Sequence, residues 1–125
     1  GSAPKATYIL LKSENEFEET TIEEDNWVAA AEYADSVGAD IISSSLGYNT
    51  FDGGVGDYTN DDLDGRTATA SIAAVTAARK GILVVNSAGN EGTAFWQKIL
   101  NPASAEWRVT VGSSGHRSII HLAKE

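Results

Sequence analysis

Four short apolar segments, separated by two helix-forming stretches and a loop, limit what this chain can fold into. The segments span residues 6–12, 39–46, 82–85 and 107–111. They are apolar nearly throughout instead of at every second position, which is typical of strands buried on both faces of a parallel sheet. The chain therefore predicts an α/β fold in three layers, with a mostly parallel sheet and helices on both of its faces.

The two predicted helices carry sequence signals at their ends. Thr21 and Glu24 have the spacing of a capping box, and Gly38 follows the first helix as a terminating glycine. The second helix is predicted from about residue 66 to residue 80, where Gly81 ends it. Each helix leads into an apolar strand, so right-handed crossovers between parallel strands are expected.

Composition and charge exclude several classes of function. No apolar run approaches the roughly 18 residues that a membrane helix requires. The chain contains no Cys, which excludes disulfides, thiolate zinc sites and cysteine nucleophiles. The net charge is −9, most acidic residues lie in the first half, and the acidic stretch 13–20 is interpreted as a surface loop. We therefore expect neither nucleic acid nor a membrane as a partner.

Small and polar residues follow two of the predicted strands, where α/β folds place their ligand sites. One segment is Ser43-Ser44-Ser45-Leu46-Gly47, and the other is Asn86-Ser87-Ala88-Gly89-Asn90-Glu91-Gly92. An Asn amide has two donors suited to a developing oxyanion, and glycine permits close approach of another backbone. On composition alone, a plain turn after a strand is the simpler interpretation of both segments.

Other patterns point to no cofactor. The loop from Asn60 to Gly65 resembles the opening of a calcium loop, but Ser71 stands where the closing Glu would lie. Calcium therefore stays a weakly supported alternative to carboxylates clustered before a helix, and no metal site is predicted. The glycines at 53–56 match no phosphate-binding motif. A nucleophilic Ser needs an adjacent base, and the two histidines both lie near the C-terminus.

Residues 80–92, ending in Ala-Gly-Asn-Glu-Gly, closely resemble the oxyanion-loop segment of subtilisin-like serine proteases. Residues 38–47 are similar to that family's strand ending in Ser-Leu-Gly. Further matches occur in the family's order, at Ala3-Pro4-Lys5-Ala6, Asn101-Pro102-Ala103 and Val109-Thr110-Val111-Gly112. The resemblance implies a partial subtilisin-like fold, with residues 3–113 as the central portion of a peptidase domain. Residues 114–125 form an atypical tail, which we interpret as a candidate for sequence foreign to that domain.

The resemblance also implies roles for individual residues. Asn90 matches the oxyanion-hole Asn, whose loss in subtilisin lowers the rate about a hundred- to a thousandfold. Glu91 matches a rim position that weakly favours a basic residue before the scissile bond, called P1. The two walls of the substrate cleft and its S1 pocket are implied to be Ser45, Leu46 and Gly47 on one side and Ser87, Ala88 and Gly89 on the other.

The family orders its catalytic triad Asp, His, Ser along the chain, and none of the three has a candidate here. The resemblance therefore implies an internal fragment of a secreted or cell-surface serine endopeptidase that acts on peptide or protein substrates. Such a fragment carries the cleft and the oxyanion donor but is inactive in isolation. The alternative is a non-catalytic peptide-binding module or pseudoenzyme, and a third hypothesis is an unrelated nucleotide- or flavin-binding domain.

In the family's sheet, the strand with the catalytic Asp lies between the strands that match residues 6–12 and 39–46. That strand is not in this chain. The two flanking strands are therefore expected either to pair directly or to leave a gap that another copy fills. Because an open apolar sheet edge favours association, a homo-oligomer formed through exposed sheet edges is one of the expected outcomes.

Overall fold

The computed structural model describes residues 3–90, 99–106, 108–114 and 117–122. Its two α-helices and four strands are α1 (Ile22–Ser36), β1 (Ile41–Ser44), α2 (Thr69–Arg79), β2 (Leu83–Ser87), β3 (Arg108–Ser114) and β4 (Arg117–Leu122). Two short 3-10 helices, Asp52–Gly54 and Asn60–Asp62, lie in the loop between β1 and α2. No helix within the described ranges has the length and apolar character needed to cross a bilayer.

The strands form one sheet in the order β1-β2-β3-β4. β2 lies parallel to both β1 and β3, and β4 runs antiparallel to β3. This topology confirms the predicted α/β fold with a mostly parallel sheet. β4 is formed by residues of the segment that the sequence analysis set apart as an atypical tail, where no strand was predicted.

The two helices pack against each other and cover one face of the sheet. Alanines make this close packing possible, because their small side chains let a helix lie near its neighbours. The opposite face carries Ile41 and Leu83, which are register partners and are 57% and 46% exposed. A second layer of helices is therefore not supplied by the part of the chain that the structure describes. The core consists of Trp27, Ala31, Tyr48, Phe51, Ala70, Ala74, Ala77, Ile82, Val84 and Ala105.

The predicted buried strand at residues 6–12 is wrong. These residues form no strand with any described residue, and Leu10 is 91% exposed. A cleft of about 710 Å³ is lined by this segment, by β1 and by Trp27 and Ala34 of α1. A strand needs hydrogen bonds from a neighbouring strand, and the flanking β1 pairs only with β2 among the described residues. Direct pairing of the two flanking segments, one of the expected outcomes, therefore does not occur.

The predicted capping box at the start of α1 is also wrong. Thr21 is the N-cap residue, but its side chain makes no capping hydrogen bond. Glu24 is buried and accepts hydrogen bonds from the Tyr58 hydroxyl at 2.6 Å and from the Ala70 N–H at 3.1 Å. Ala70 lies in the first turn of α2, so the carboxylate satisfies a free donor of the other helix.

Helix α2 begins later than the sequence predicts, at Thr69 instead of about residue 66. The reason is a local turn, in which the Asp64 carboxylate accepts hydrogen bonds from the N–H groups of Arg66 and Thr67 at 2.7 and 2.8 Å. Short acidic side chains favour such turns over a helical conformation.

Candidate functional site

The carboxyl ends of β1 and β2 bring the two predicted wall segments side by side. Ser44 and Asn86 are register partners at the last paired position of these strands. Residues 45–47 and 87–89 follow from the same edge of the sheet, because the strands are parallel. The structure thus places the two segments next to each other, as a cleft at this edge requires.

The side chain of Asn86 links the two walls directly. Asn86 is almost fully buried, and its Nδ2 donates to the carbonyl oxygens of Leu46 at 3.0 Å and Ser87 at 2.9 Å. The Ser44 hydroxyl donates to Asn86 Oδ1. The sequence analysis noted this residue without assigning it a role. Asn86 is two residues from Val84, and residues two apart on a strand share a face, so burial of the Asn86 side chain could have been predicted from this spacing.

A third segment, residues 100–101, is hydrogen-bonded to backbone at or next to both wall segments. The N–H of Leu100 donates to the Ala88 carbonyl at 3.2 Å, and the N–H of Ala88 donates to the Val111 carbonyl at 2.7 Å. Asn101 and Tyr48 exchange both backbone hydrogen bonds, at 2.8 and 3.3 Å. These bonds attach residues 100–101 to the second wall and to the residue that follows the first wall.

The predicted oxyanion donor lies at the end of the second wall. Gly89 has a φ of +88°, a conformation that favours glycine, and the chain turns away from β2 there. Asn90 follows and is exposed, and its side chain makes no hydrogen bond with another described residue. The predicted rim residue Glu91 lies outside the described residues, as does Trp107 of the predicted fourth strand.

The other predicted patterns resolve into local structure. Asp62 accepts hydrogen bonds from the Thr59 N–H and hydroxyl, and these bonds lower the pKa of the Asp62 carboxyl. The bonds from Arg66 and Thr67 lower the pKa of Asp64 in the same way. The carboxylates of Asp62 and Asp64 thus accept local hydrogen bonds that stabilise turns before α2. His121 pairs with Thr110 across β3 and β4, and His116 lies outside the described residues.

The structure also brings together three carboxylates that the sequence analysis did not single out. Carboxylate oxygens of Glu14, Glu19 and Glu23 lie within 4.8 Å of one another. Burial first, and the nearby negative charges of Glu23, Glu14 and Asp52 second, raise the pKa of Glu19. Sequence offered no signal for this cluster, because it depends on how the loop 13–20 folds over α1.

Much of this cluster's hydrogen-bonding capacity is already used. The buried Glu23 carboxylate accepts hydrogen bonds from the N–H groups of Asn15 at 2.7 Å and Thr20 at 3.2 Å. Glu14 accepts one from the Tyr48 hydroxyl at 2.7 Å. Burial and this bond to Glu14 raise the pKa of Tyr48. The cluster therefore fastens the loop to α1 and to the residue that follows the first wall.

Comparison with models of known protein families gives a result that agrees with this architecture. A model of the Subtilase family, peptidase S8, matches residues 1–120. The chain belongs to the subtilase family. Subtilases are serine peptidases, so this mostly parallel α/β sheet is part of a subtilisin-like fold. None of the curated proteins compared with this subtilase matches it.

Proposed function

We propose that this subtilase chain supplies the substrate cleft and the oxyanion donor of a serine endopeptidase. The observation that carries the proposal is that β1 and β2 pair in parallel up to Ser44 and Asn86, so the wall segments 45–47 and 87–89 leave the same edge of the sheet. Asn86 bonds to Leu46 of the first wall, Leu100 bonds to Ala88 of the second, and the exposed Asn90 follows the second wall. A peptide in the cleft would form backbone hydrogen bonds to the first wall, as an added strand does at a sheet edge.

In this mechanism the Asn90 amide donates a hydrogen bond to the tetrahedral oxyanion formed when a seryl nucleophile attacks the peptide carbonyl. The donor stabilises the transition state more than the bound substrate, so it acts on the rate and not on affinity. The nucleophile, its base and the orienting Asp are proposed to lie in other parts of the protein. The reaction is proposed to need no cofactor, and the protein is proposed to be secreted or held at the cell surface.

The experiment compares Asn90→Ala with unmodified full-length protein that contains this chain, using a chromogenic peptide substrate. We expect kcat to fall about a hundred- to a thousandfold with little change in KM. Asn60→Ala, an exposed Asn remote from the cleft, is the matched control and should retain full activity. Equal kcat in Asn90→Ala and unmodified protein would overturn the assigned role.

The second candidate is a peptide-binding module without catalysis, which would use the same backbone pairing of a peptide to the first wall. Fluorophosphonates react with an activated serine and separate the two candidates. Labelling of the full-length protein supports the peptidase. Peptide binding without labelling supports the binding module. The isolated chain is proposed to be inactive, and turnover of a chromogenic peptide by pure chain would contradict this.

A further inference from the structure

The side chain of Leu100 occupies the space between the two glycines of the cleft walls. A methyl group at Gly47 would lie 2.5 Å from Leu100 Cδ1, and one at Gly89 would lie 2.6 Å from Leu100 Cγ. Such distances are far inside van der Waals contact, so the isobutyl group lies directly against both backbones. Leu100 is 8% exposed, so the side chain that contacts Gly47 and Gly89 is also shielded from solvent.

The backbone around Leu100 leaves this side chain little freedom to withdraw. Its N–H is bonded to Ala88 of the second wall, and the next residue, Asn101, is bonded to Tyr48 beyond the first wall. Asn101 is itself fully buried and accepts a hydrogen bond from the Ser71 hydroxyl at 3.1 Å. Opening the space would therefore require movement of a segment fastened on both sides.

We propose that Leu100 is a specificity-determining residue that closes the pocket between the walls and restricts P1 to small side chains such as Gly, Ala or Ser. This inference rests on the proposed function, because it assigns the space between the walls to a substrate side chain. A pocket whose volume is already occupied rejects a large side chain, since packed interiors do not yield to extra atoms. Leu100 thereby sets a narrower preference than the basic P1 residue implied by Glu91.

The test uses the full-length protein and two chromogenic peptides that differ only in Ala or Phe at P1. We expect kcat/KM of the unmodified protein to be at least about tenfold higher for Ala. Leu100→Gly should reverse this order by raising kcat/KM for Phe at least about tenfold. Leu10→Gly makes the same change at a position 91% exposed and should leave the ratio unaltered. An unmodified protein that cleaves Phe as well as Ala, or an unchanged ratio in Leu100→Gly, would overturn the proposal.

A binding measurement separates failure of this proposal from failure of the peptidase function. Fluorescein-labelled peptides ending in Ala or Phe at P1 are titrated against each protein, with fluorescence anisotropy as the readout. If nothing is hydrolysed, the peptidase function fails, but the same reversal of preference in Kd still supports Leu100 as the limiting residue. Equal affinity for both peptides, or no binding by either protein, overturns it. Leu100→Ala serves as a second variant where Leu100→Gly loses its native circular dichroism.

Discussion

Asn86 Nδ2 donates a hydrogen bond to the carbonyl oxygen of Leu46 at 3.0 Å, and this bond joins β2 to the segment that follows β1. The amide nitrogen also donates to the Ser87 carbonyl, and the amide oxygen accepts a hydrogen bond from the Ser44 hydroxyl, so both ends of the amide are used. Replacing Asn86 with Leu keeps the number and branching of the side-chain heavy atoms but leaves the Leu46 carbonyl without this donor. We expect the free energy of unfolding to fall by about 1–3 kcal/mol, measured by urea denaturation.

Asn86→Asp is a sharper test of the same bond. It preserves shape and the acceptor for Ser44, but removes the amide donor and introduces a buried charge. It should destabilise at least as much as Asn86→Leu near neutral pH. The exposed Asn60→Asp serves as the control. If Asn86→Asp and Asn60→Asp unfold at the same urea concentration, the bond has no structural role.

A buried carboxyl gives the fold a defined pH dependence. Burial raises the pKa of Glu24 above its ordinary 4.5, and the hydrogen bonds from Tyr58 and Ala70 oppose this rise only in part. A carboxyl with a raised pKa in the folded state stabilises the fold below its ordinary pKa, and that contribution is lost as pH rises through the raised value. Relative to Glu24→Gln, unmodified protein should therefore lose stability as the pH increases above 4.5.

The measurement is the difference in unfolding free energy between unmodified protein and Glu24→Gln, taken between about pH 4 and pH 7. Subtraction cancels the titration of the other groups. Glu32→Gln, on the exposed surface of α1, provides the matched control. A difference that is constant with pH, or one that grows in favour of the unmodified protein, would contradict the prediction.

Gly47 and Leu100 should be energetically coupled. Gly47→Ala places a methyl group within 2.5 Å of Leu100, and we expect a loss of about 1–3 kcal/mol from overpacking. Combined with Leu100→Gly, the same substitution should cost little, since every Leu100 side-chain atom near the new methyl group, including Cβ at 2.6 Å, is then absent. A double-mutant cycle measured by thermal unfolding tests this, and additive costs would show that the two residues do not compete for one space.

The outer edge of β1 is expected to promote self-association. The cleft between residues 6–12 and β1 leaves that edge without a partner strand in the described part of the chain. Light scattering should show oligomers that increase with concentration, and Ser43→Lys should reduce them because a charged residue disfavours edge pairing. Thr50→Lys adds the same charge away from the edge and should have no effect. A strict monomer at high concentration would contradict the expectation.

Local sequence patterns predicted the parallel strands well. The apolar run at 82–85 became β2, and the segments at 39–46 and 107–111 contain β1 and most of the paired positions of β3. Each of these strands has a neighbouring strand that supplies its backbone hydrogen bonds, so the strand predicted from the apolar pattern forms. Residues 6–12 have a similar apolar composition but pair with no strand among the described residues, and composition by itself does not supply the missing hydrogen bonds.

The candidate wall residues could be proposed from motifs at strand ends, whereas contacts that depend on tertiary structure could not be predicted. The sequence places those strand ends at residues 46 and 85. Leu100 could not be assigned, because only the folded chain brings it against Gly47 and Gly89. Glu24 illustrates the same limit. Its spacing from Thr21 predicts a bond within one helix, and the nearby first turn of α2 competes successfully for the carboxylate.

The bond from Asn86 to Leu46 spans 40 residues of sequence, and the ladder between β1 and β2 spans a similar interval. The contact between the two wall segments is therefore formed by residues far apart in the chain. Such non-local pairings require closure of a long loop, which makes them slow to form during folding. During synthesis, the contact between the two walls cannot form until the second wall has left the ribosome. The cleft is thus assembled late, after both helices are available to hold the sheet.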